Sequence, residues 1–187
     1  MEVLPTRLGG LRLLAPAVHG DERGFFLESW RADAHAAAGV DATFVQDNHS
    51  RSRRGTLRGI HFQTHPGQGK LVRCVRGEIY DVVVDLRRGS PTFGEWEGFA
   101  LEDSRAHQLW IPVGFGHGFC VVSEVADVAY KVTSYYDPAT ESGIRFDDPD
   151  VGVAWPAGVE LLYSERDATA PLLADVAGDL PWVHTPG

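Results

Sequence analysis

Glu78-Ile79-Tyr80-Asp81-Val82-Val83-Val84-Asp85-Leu86 has the period of two that marks an extended strand. Side chains two apart share a face, so Tyr80, Val82, Val84 and Leu86 fall on one side and Asp81 and Asp85 on the other. Upstream, residues 71–75 form a second β-rich run, and Arg76-Gly77 between the two predicts a hairpin. Downstream, Gly89-Ser90-Pro91-Thr92 reads as a turn. Further strands are expected at 96–101, 108–112, 118–123 and 127–135. One helix is expected over 29–38, with Ser29 as N-cap and Gly39 at C′, and a short second one near 168–176. Many short strands with glycine at the corners make the chain mainly β, a sandwich or barrel with a few short helices.

The chain has 187 residues, of which 43% are hydrophobic, enough for one domain with its own core, and no repeat or linker divides 1–187. Cys74 and Cys120 sit in apolar runs and fit neither a disulfide framework nor a CxxC pattern, so buried free thiols in a reducing compartment are expected. Residues 1–14 lack the apolar core of a signal peptide, and no run is long enough to span a bilayer. A soluble, cytoplasmic protein is the expectation, with no membrane partner. A net charge of −9 argues against nucleic-acid binding, which requires a basic face.

Pro112-Val113-Gly114-Phe115-Gly116-His117 narrows the fold. It resembles the second motif of cupins, jelly-roll barrels in which P-x-G-x-x-H brings a histidine into the cavity. The first cupin motif supplies H-x-H and a glutamate to a metal. Here the corresponding stretch is His61-Phe62-Gln63, with Lys70 close behind. A glutamine replaces a ligand, and a cavity lysine repels a divalent cation. The resemblance therefore implies a jelly-roll (cupin) barrel that holds no metal and works through side chains alone, without a cofactor.

Within this acidic chain, Gln46-Asp47-Asn48-His49-Ser50-Arg51-Ser52-Arg53-Arg54-Gly55-Thr56-Leu57-Arg58-Gly59-Ile60-His61-Phe62-Gln63 concentrates cations, which suits a bound anion. His61 is either a hydrogen-bonded core histidine or, if Arg58, Lys70 and His117 converge with it, a general base. Lys70, in Gly67-Gln68-Gly69-Lys70, is a strand-end lysine or a cavity group; the P-loop spacing is missing. Tyr130 shares a strand face with Val128 and Val132, as a core tyrosine or as a phenol donating a proton to an enolate. Arg23 reads as a turn arginine and Arg58 and Arg166 as surface charges, or the three arginines hold a diphosphate together with the amides of Gln46 and Asn48. Arg51, Arg53 and Arg54 are left as solvated charge. Asp167 either caps a following helix or accepts the second N–H of His61. Tyr136 ends a strand, packed in the core or free to stack on a flat base.

Several stretches taken together closely resemble the dTDP-4-dehydrorhamnose 3,5-epimerase family, cupin-fold sugar-nucleotide epimerases. They are Asp21-Glu22-Arg23-Gly24-Phe25-Phe26-Leu27-Glu28, Gln46-Asp47-Asn48-His49-Ser50, Leu57-Arg58-Gly59-Ile60-His61-Phe62-Gln63, Gly69-Lys70-Leu71-Val72-Arg73, Trp110-Ile111-Pro112 through Gly118-Phe119, Tyr130-Lys131-Val132-Thr133-Ser134-Tyr135-Tyr136 and Ser164-Glu165-Arg166-Asp167. The resemblance runs from about residue 20 to 173. It implies that His61 is the proton acceptor, Asp167 its orienting carboxylate, Tyr130 the proton donor, and Lys70 and His117 the groups around the C4 keto oxygen. It places Arg23, Glu28, Gln46, Asp47, Asn48, Arg58, Glu141 and Arg166 on substrate-contacting positions, and Tyr136 on the thymine ring. It also implies a homodimer with an exchanged N-terminal strand, so that Arg23 and Glu28 serve the neighbouring site. Gly116 stands where the family often has alanine, and Arg166 where it often has lysine.

The implied reaction is cofactor-independent epimerisation at C3 and C5 of a dTDP-4-keto-6-deoxy sugar, in dTDP-rhamnose biosynthesis. Alternatives are inversion at C3 alone, as in antibiotic-sugar pathways, a 3,4-ketoisomerase, a metal-dependent cupin oxygenase, and a non-enzymatic sugar-binding cupin.

Overall fold

The computed structural model describes residues 1–185. In chain order the strands are β1 (Glu2–Leu4), β2 (Arg12–Ala15), β3 (Val18–Asp21), β4 (Gly24–Leu27), β5 (Gln46–Arg53), β6 (Leu57–Gln63) and β7 (Lys70–Arg76). They continue as β8 (Glu78–Asp85), β9 (Trp96–Glu102), β10 (Gln108–Ile111), β11 (Phe115–Val121), β12 (Val125–Val132) and β13 (Glu141–Gly143). Three short helices are α1 (Ala32–Ala37), α2 (Glu165–Ala168) and α3 (Leu173–Val176). No helix among the described residues is long and apolar enough to cross a membrane.

The strands build two facing antiparallel sheets, ordered β1-β2-β10-β7-β12-β5 and β13-β6-β11-β8-β9. The chain is mainly β, with the cupin-like jelly-roll layout expected. Between the sheets lies the main core, with Val72, Leu109 and Val128 from one side and Ile79, Val83, Phe119 and Val121 from the other. The outer face of the second sheet is also covered: Ile60, Phe62, Val82, Val84 and Leu86 pack with Leu173, Leu180 and Trp182. Around α1, Trp30, Phe44 and Trp110 pack over Leu14, Val40 and Leu71.

β8 therefore has the expected face parity, but neither face is wet. Asp81 and Asp85 point into the barrel and are fully buried. Asp85 is satisfied by Arg87, Ser90 and Thr92, whose hydrogen bonds outweigh the burial that would otherwise raise its pKa.

The hairpin at Arg76-Gly77 is not formed. β7 pairs with β10 and β12, whereas β8 pairs with β11 and β9, so the turn is a corner between sheets. Gly77 has φ +77°, and a Cβ there would lie 2.2 Å from the Val125 carbonyl oxygen. Glycine is required at such a corner just as in a hairpin.

Two helix boundaries also differ. α1 starts at Ala32 with Arg31 as an uncapped N-cap, because Ser29 is held through its carbonyl by Gln108 Nε2 at 2.7 Å. Gly39 follows the helix at φ +87°, as expected. The second helix splits into α2 and α3, with Pro171 lying between them and disfavouring helix at the preceding residue. β3 and β4 stand apart as a two-stranded hairpin, with Phe25 and Phe26 68% and 71% exposed.

Candidate active site

The site begins with two glycines. β6 and β11 pair so that His61 lies opposite His117, and the register shifts between His117 and Phe119. At that irregularity the backbones nearly touch: a Cβ on Gly59 would sit 2.4 Å from Gly118 Cα and 2.7 Å from the His117 carbonyl oxygen. Gly59 and Gly118, which flank the two histidines, are thus dictated by close backbone approach. Gly116 packs just as closely, since a Cβ there would reach 2.6 Å from Ile60 Cγ2.

Each histidine has its own carboxylate. His61 Nε2 bonds Asp167 Oδ1 at 2.6 Å, and Asp167 is only 4% exposed. The Ser164 hydroxyl donates to Asp167 Oδ2 at 2.8 Å and accepts the Asp167 backbone N–H at 3.1 Å. Ser164, not Asp167, is therefore the cap of α2. Burial would raise the Asp167 carboxyl, but the bonds from His61 and Ser164 outweigh it and hold its pKa below the usual range. Across the pair, His117 Nε2 bonds both oxygens of Asp81, at 2.9 and 3.1 Å. With Nε2–H given to a carboxylate, the nitrogen left to each imidazole for other work is Nδ1.

The opposite wall comes from the other sheet. Tyr130 lies between Asn48 and Val72, and Lys70 pairs with Val132, so both face inward. Burial pushes the Tyr130 phenol up; the Arg58 charge opposes this and Glu141 adds to it. The phenol is thus kept protonated at neutral pH. Burial lowers the Lys70 ammonium to about 8, against the raising effect of Asp81 and Glu141. Its Nζ lies 3.4 Å from the His61 carbonyl oxygen.

His61, Lys70, Tyr130 and Glu141 are shared by two connected lobes. The larger, about 580 Å³, adds Ser50, Arg58, His117, Phe119, Arg166 and Asp167. The smaller, about 290 Å³, adds Gln46, Asn48, Gln63, Gln68 and Tyr136. Glu141 Oε2 accepts from Tyr136 Oη at 2.8 Å and Arg166 Nη1 at 2.7 Å, which overcome the effect of burial and keep this carboxyl ionised. Arg58 is steadied by Ser52 Oγ, 3.2 Å from both Nε and Nη2. A roomier hollow of about 770 Å³ beside β9 involves Arg7, Trp96 and Leu173. Arg7 and its backbone already bind Glu95 and Glu97 there, and no histidine, lysine or tyrosine joins them, so it offers no comparable chemistry.

Three expected residues lie elsewhere. Asp47 faces away from the lobes on β5, paired with Lys131 at 2.9 Å, because neighbouring strand residues alternate faces. Arg23 pairs with Asp21 on the exposed β3–β4 hairpin, and Glu28 meets Arg31 at 3.5 Å. Neither Arg23 nor Glu28 lines either lobe of this protomer.

Sequence reasoning missed Asp81, which the strand pattern placed merely on the face opposite Tyr80 and Val82. It also missed Ser50, whose Oγ is, among the described residues, the one buried side-chain polar atom without a hydrogen-bond partner. Its place two residues beyond Asn48 on the same strand face was the available signal. Among the described residues no three His, Cys, Asp or Glu side chains converge as a metal-ligand group.

A sequence profile described as dTDP-4-dehydrorhamnose 3,5-epimerase matches residues 5–175. A Neisseria gonorrhoeae dTDP-4-dehydrorhamnose 3,5-epimerase is 50% identical over 167 residues, covering 89% of this chain but only 51% of that protein. A Streptomyces niveus dTDP-4-dehydrorhamnose 3-epimerase is 45% identical, covering 99% of this chain and 91% of its own. The crystal structure of a Legionella pneumophila dTDP-6-deoxy-D-glucose-3,5-epimerase in complex with dTDP-4-keto-L-rhamnose superposes with a TM-score of 0.95 at 45% identity, covering 99% of both chains. With a profile spanning most of its length and a relative half identical, the chain belongs to the dTDP-4-dehydrorhamnose 3,5-epimerase family.

Proposed function

We propose that the protein inverts C3 and C5 of a dTDP-4-keto-6-deoxyhexose, as a single cupin-like domain spanning 1–187. The hydrogens on C3 and C5 are α to the C4 carbonyl, so removing either gives an enolate with its charge on the C4 oxygen. Nδ1 of His61 takes the proton while Asp167 stabilises the resulting imidazolium. Lys70 and His117 stabilise the oxyanion; a single such donor is worth about 2.7–4 kcal/mol in the barrier. Tyr130 delivers a proton to the opposite face and regains one from solvent while the imidazolium releases its own there, which inverts the centre and resets both groups. Arg58, Arg166, Gln46 and Asn48 hold the diphosphate, and Tyr136 stacks on the base. Binding energy from that remote part keeps the small sugar in register.

The observation that carries this reading is one cavity walled by His61, on one sheet and held by Asp167 of α2, and by the Tyr130 phenol on the other sheet. Incubating the 4-keto substrate in deuterated water tests it: label is expected at both C3 and C5, and no label at either would end the epimerase reading. Inversion at C3 alone is the second reading, favoured by the similarity to the Streptomyces niveus 3-epimerase, and label confined to C3 would select it.

Arg23 and Glu28 are proposed to act in the site of a second copy, through exchange of the N-terminal segment. Their absence from the lining of their own protomer's cavity and the exposed Phe25 and Phe26 support a homodimer, which sedimentation tests. Buried thiols at Cys74 and Cys120 support a reducing, cytoplasmic setting.

A further inference from the structure

We propose that Gln63 is a positioning residue, whose carboxamide fastens the loop carrying Tyr136 to the strand carrying His61. The proposal rests on the epimerase reading for the identity of the ligand, a thymidine diphosphate.

Gln63 is two residues beyond His61 on the same inward face of β6 and is 4% exposed. Its Nε2 donates to the Asp137 carbonyl at 3.0 Å and to Thr140 Oγ1 at 2.8 Å. Its Oε1 accepts from Gln68 Nε2 at 3.1 Å and from the Asp137 backbone N–H at 3.3 Å. Every hydrogen-bonding position of the amide is therefore filled, and these partners fix which way it points. Gln68 gives its other N–H to the Ser134 carbonyl at 2.9 Å, and Ser134 Oγ donates to the Gly67 carbonyl at 2.9 Å.

Tyr136 lies between the two points of attachment, Ser134 on one side and Asp137 with Thr140 on the other. Its own backbone N–H donates to Gln46 Oε1 at 3.1 Å. Glu141, which holds the Tyr136 hydroxyl, is the direct cross-strand partner of Gln63. The same amide thus joins the strand of His61, the Gln68 turn that leads into Lys70, and the segment that presents Tyr136 and Glu141. A neutral carboxamide with all four positions occupied has no proton to offer the sugar, so its effect is exerted through the residues it holds.

Binding of dTDP to the full-length protein by isothermal titration, combined with solvent-deuterium exchange at saturating substrate, tests this. Gln63→Leu keeps an apolar body and strands the four partners. It should weaken dTDP about tenfold, the scale set by buried groups left unpaired, with saturated exchange nearly unchanged. Gln63→Glu keeps the acceptor bonds but turns its second oxygen on the Asp137 carbonyl and buries a charge beside Glu141, so it should bind dTDP no better than Gln63→Leu. The double variant Gln63→Leu/Tyr136→Ala should bind dTDP no more weakly than Tyr136→Ala, because the first change acts through the second residue.

A folded Gln63→Leu that binds dTDP like the parent overturns the proposal, as does a double variant in which the two losses multiply. If Gln63→Leu does not fold, Gln68→Leu removes only the outer strut. It should weaken dTDP with the same non-additivity toward Tyr136→Ala, and unchanged affinity there also overturns the proposal. Failure of the parent protein to bind dTDP would instead sink the epimerase reading; parent binding with indifferent variants sinks only the role of Gln63.

Discussion

His61 and His117 face each other across β6 and β11, and each gives its Nε2 to a different buried carboxylate, Asp167 for one and Asp81 for the other. The carboxylates reach them from different elements: Asp167 from the periphery on α2, Asp81 from inside the barrel on β8. Neighbouring imidazoles are thus fixed independently, which suits different tasks on one substrate.

His61→Asn removes the base while keeping a polar side chain of similar reach. Deuterium exchange should fall about 10²–10⁴-fold, with the fold and dTDP affinity retained. Asp167→Asn should fall in the same range through a misdirected tautomer. Near-full turnover of His61→Asn, read by NMR, would remove His61 from the reaction.

Tyr130→Phe should impair inversion more than exchange. His61 still removes a proton from its own face and returns one there, so label enters with retention. Comparing label uptake with product formation checks this, and equal losses of both contradict a division between faces.

Lys70 sets a pH limit. Burial brings its ammonium to about 8, so the charge that stabilises the oxyanion disappears as pH rises through that value, and kcat/KM should decline above it. Bound diphosphate favours the charged form, so the kcat profile should turn at a higher pH. Lys70→Met should abolish the limb and cost about 10²–10³-fold in rate. The sign for stability is the reverse. Because the folded pKa lies below the ordinary 10.5, the buried charge destabilises the native state below pH 8, and the penalty is relieved between 8 and 10.5. Lys70→Met should therefore be more stable at neutral pH by up to about 3 kcal/mol, measured by urea unfolding.

Gly59→Ala tests the backbone contact beneath the histidines. Its φ of +120° and the approach to Gly118 predict a loss of about 3 kcal/mol. Activity measured well below the lowered Tm should still be reduced, because relieving the clash shifts His61 relative to His117. A variant with parental Tm and turnover would contradict this account.

The period of two in β8 was enough to announce strands and even the correct parity of Tyr80, Val82, Val84 and Leu86. It could not reveal that the opposite face is equally dry, since an aspartate reads as solvent-facing until its partner is known. His61 and Asp167 are 106 positions apart, and only the folded barrel brings them together. Gly77 was legible as a turn but not as a turn between sheets, because both need the same positive φ. Asp47 is different: alternation along β5 already turns its side chain away from those of Gln46 and Asn48, so its direction is legible without the fold. Arg23 on the hairpin and Glu28 just after it stand outside the cavity of their own protomer; no local pattern encodes this, and only the family resemblance pointed away from that cavity.

The two histidine anchors differ in how firmly they are moored. β8 is sealed on both faces, so its amides should be among the last to exchange with solvent, and Asp81 is lost only on global unfolding. Asp167 rides on a helix of four residues, tethered through Ser164. Mild denaturant can release that helix while the barrel persists, so inactivation should precede the collapse of tertiary structure.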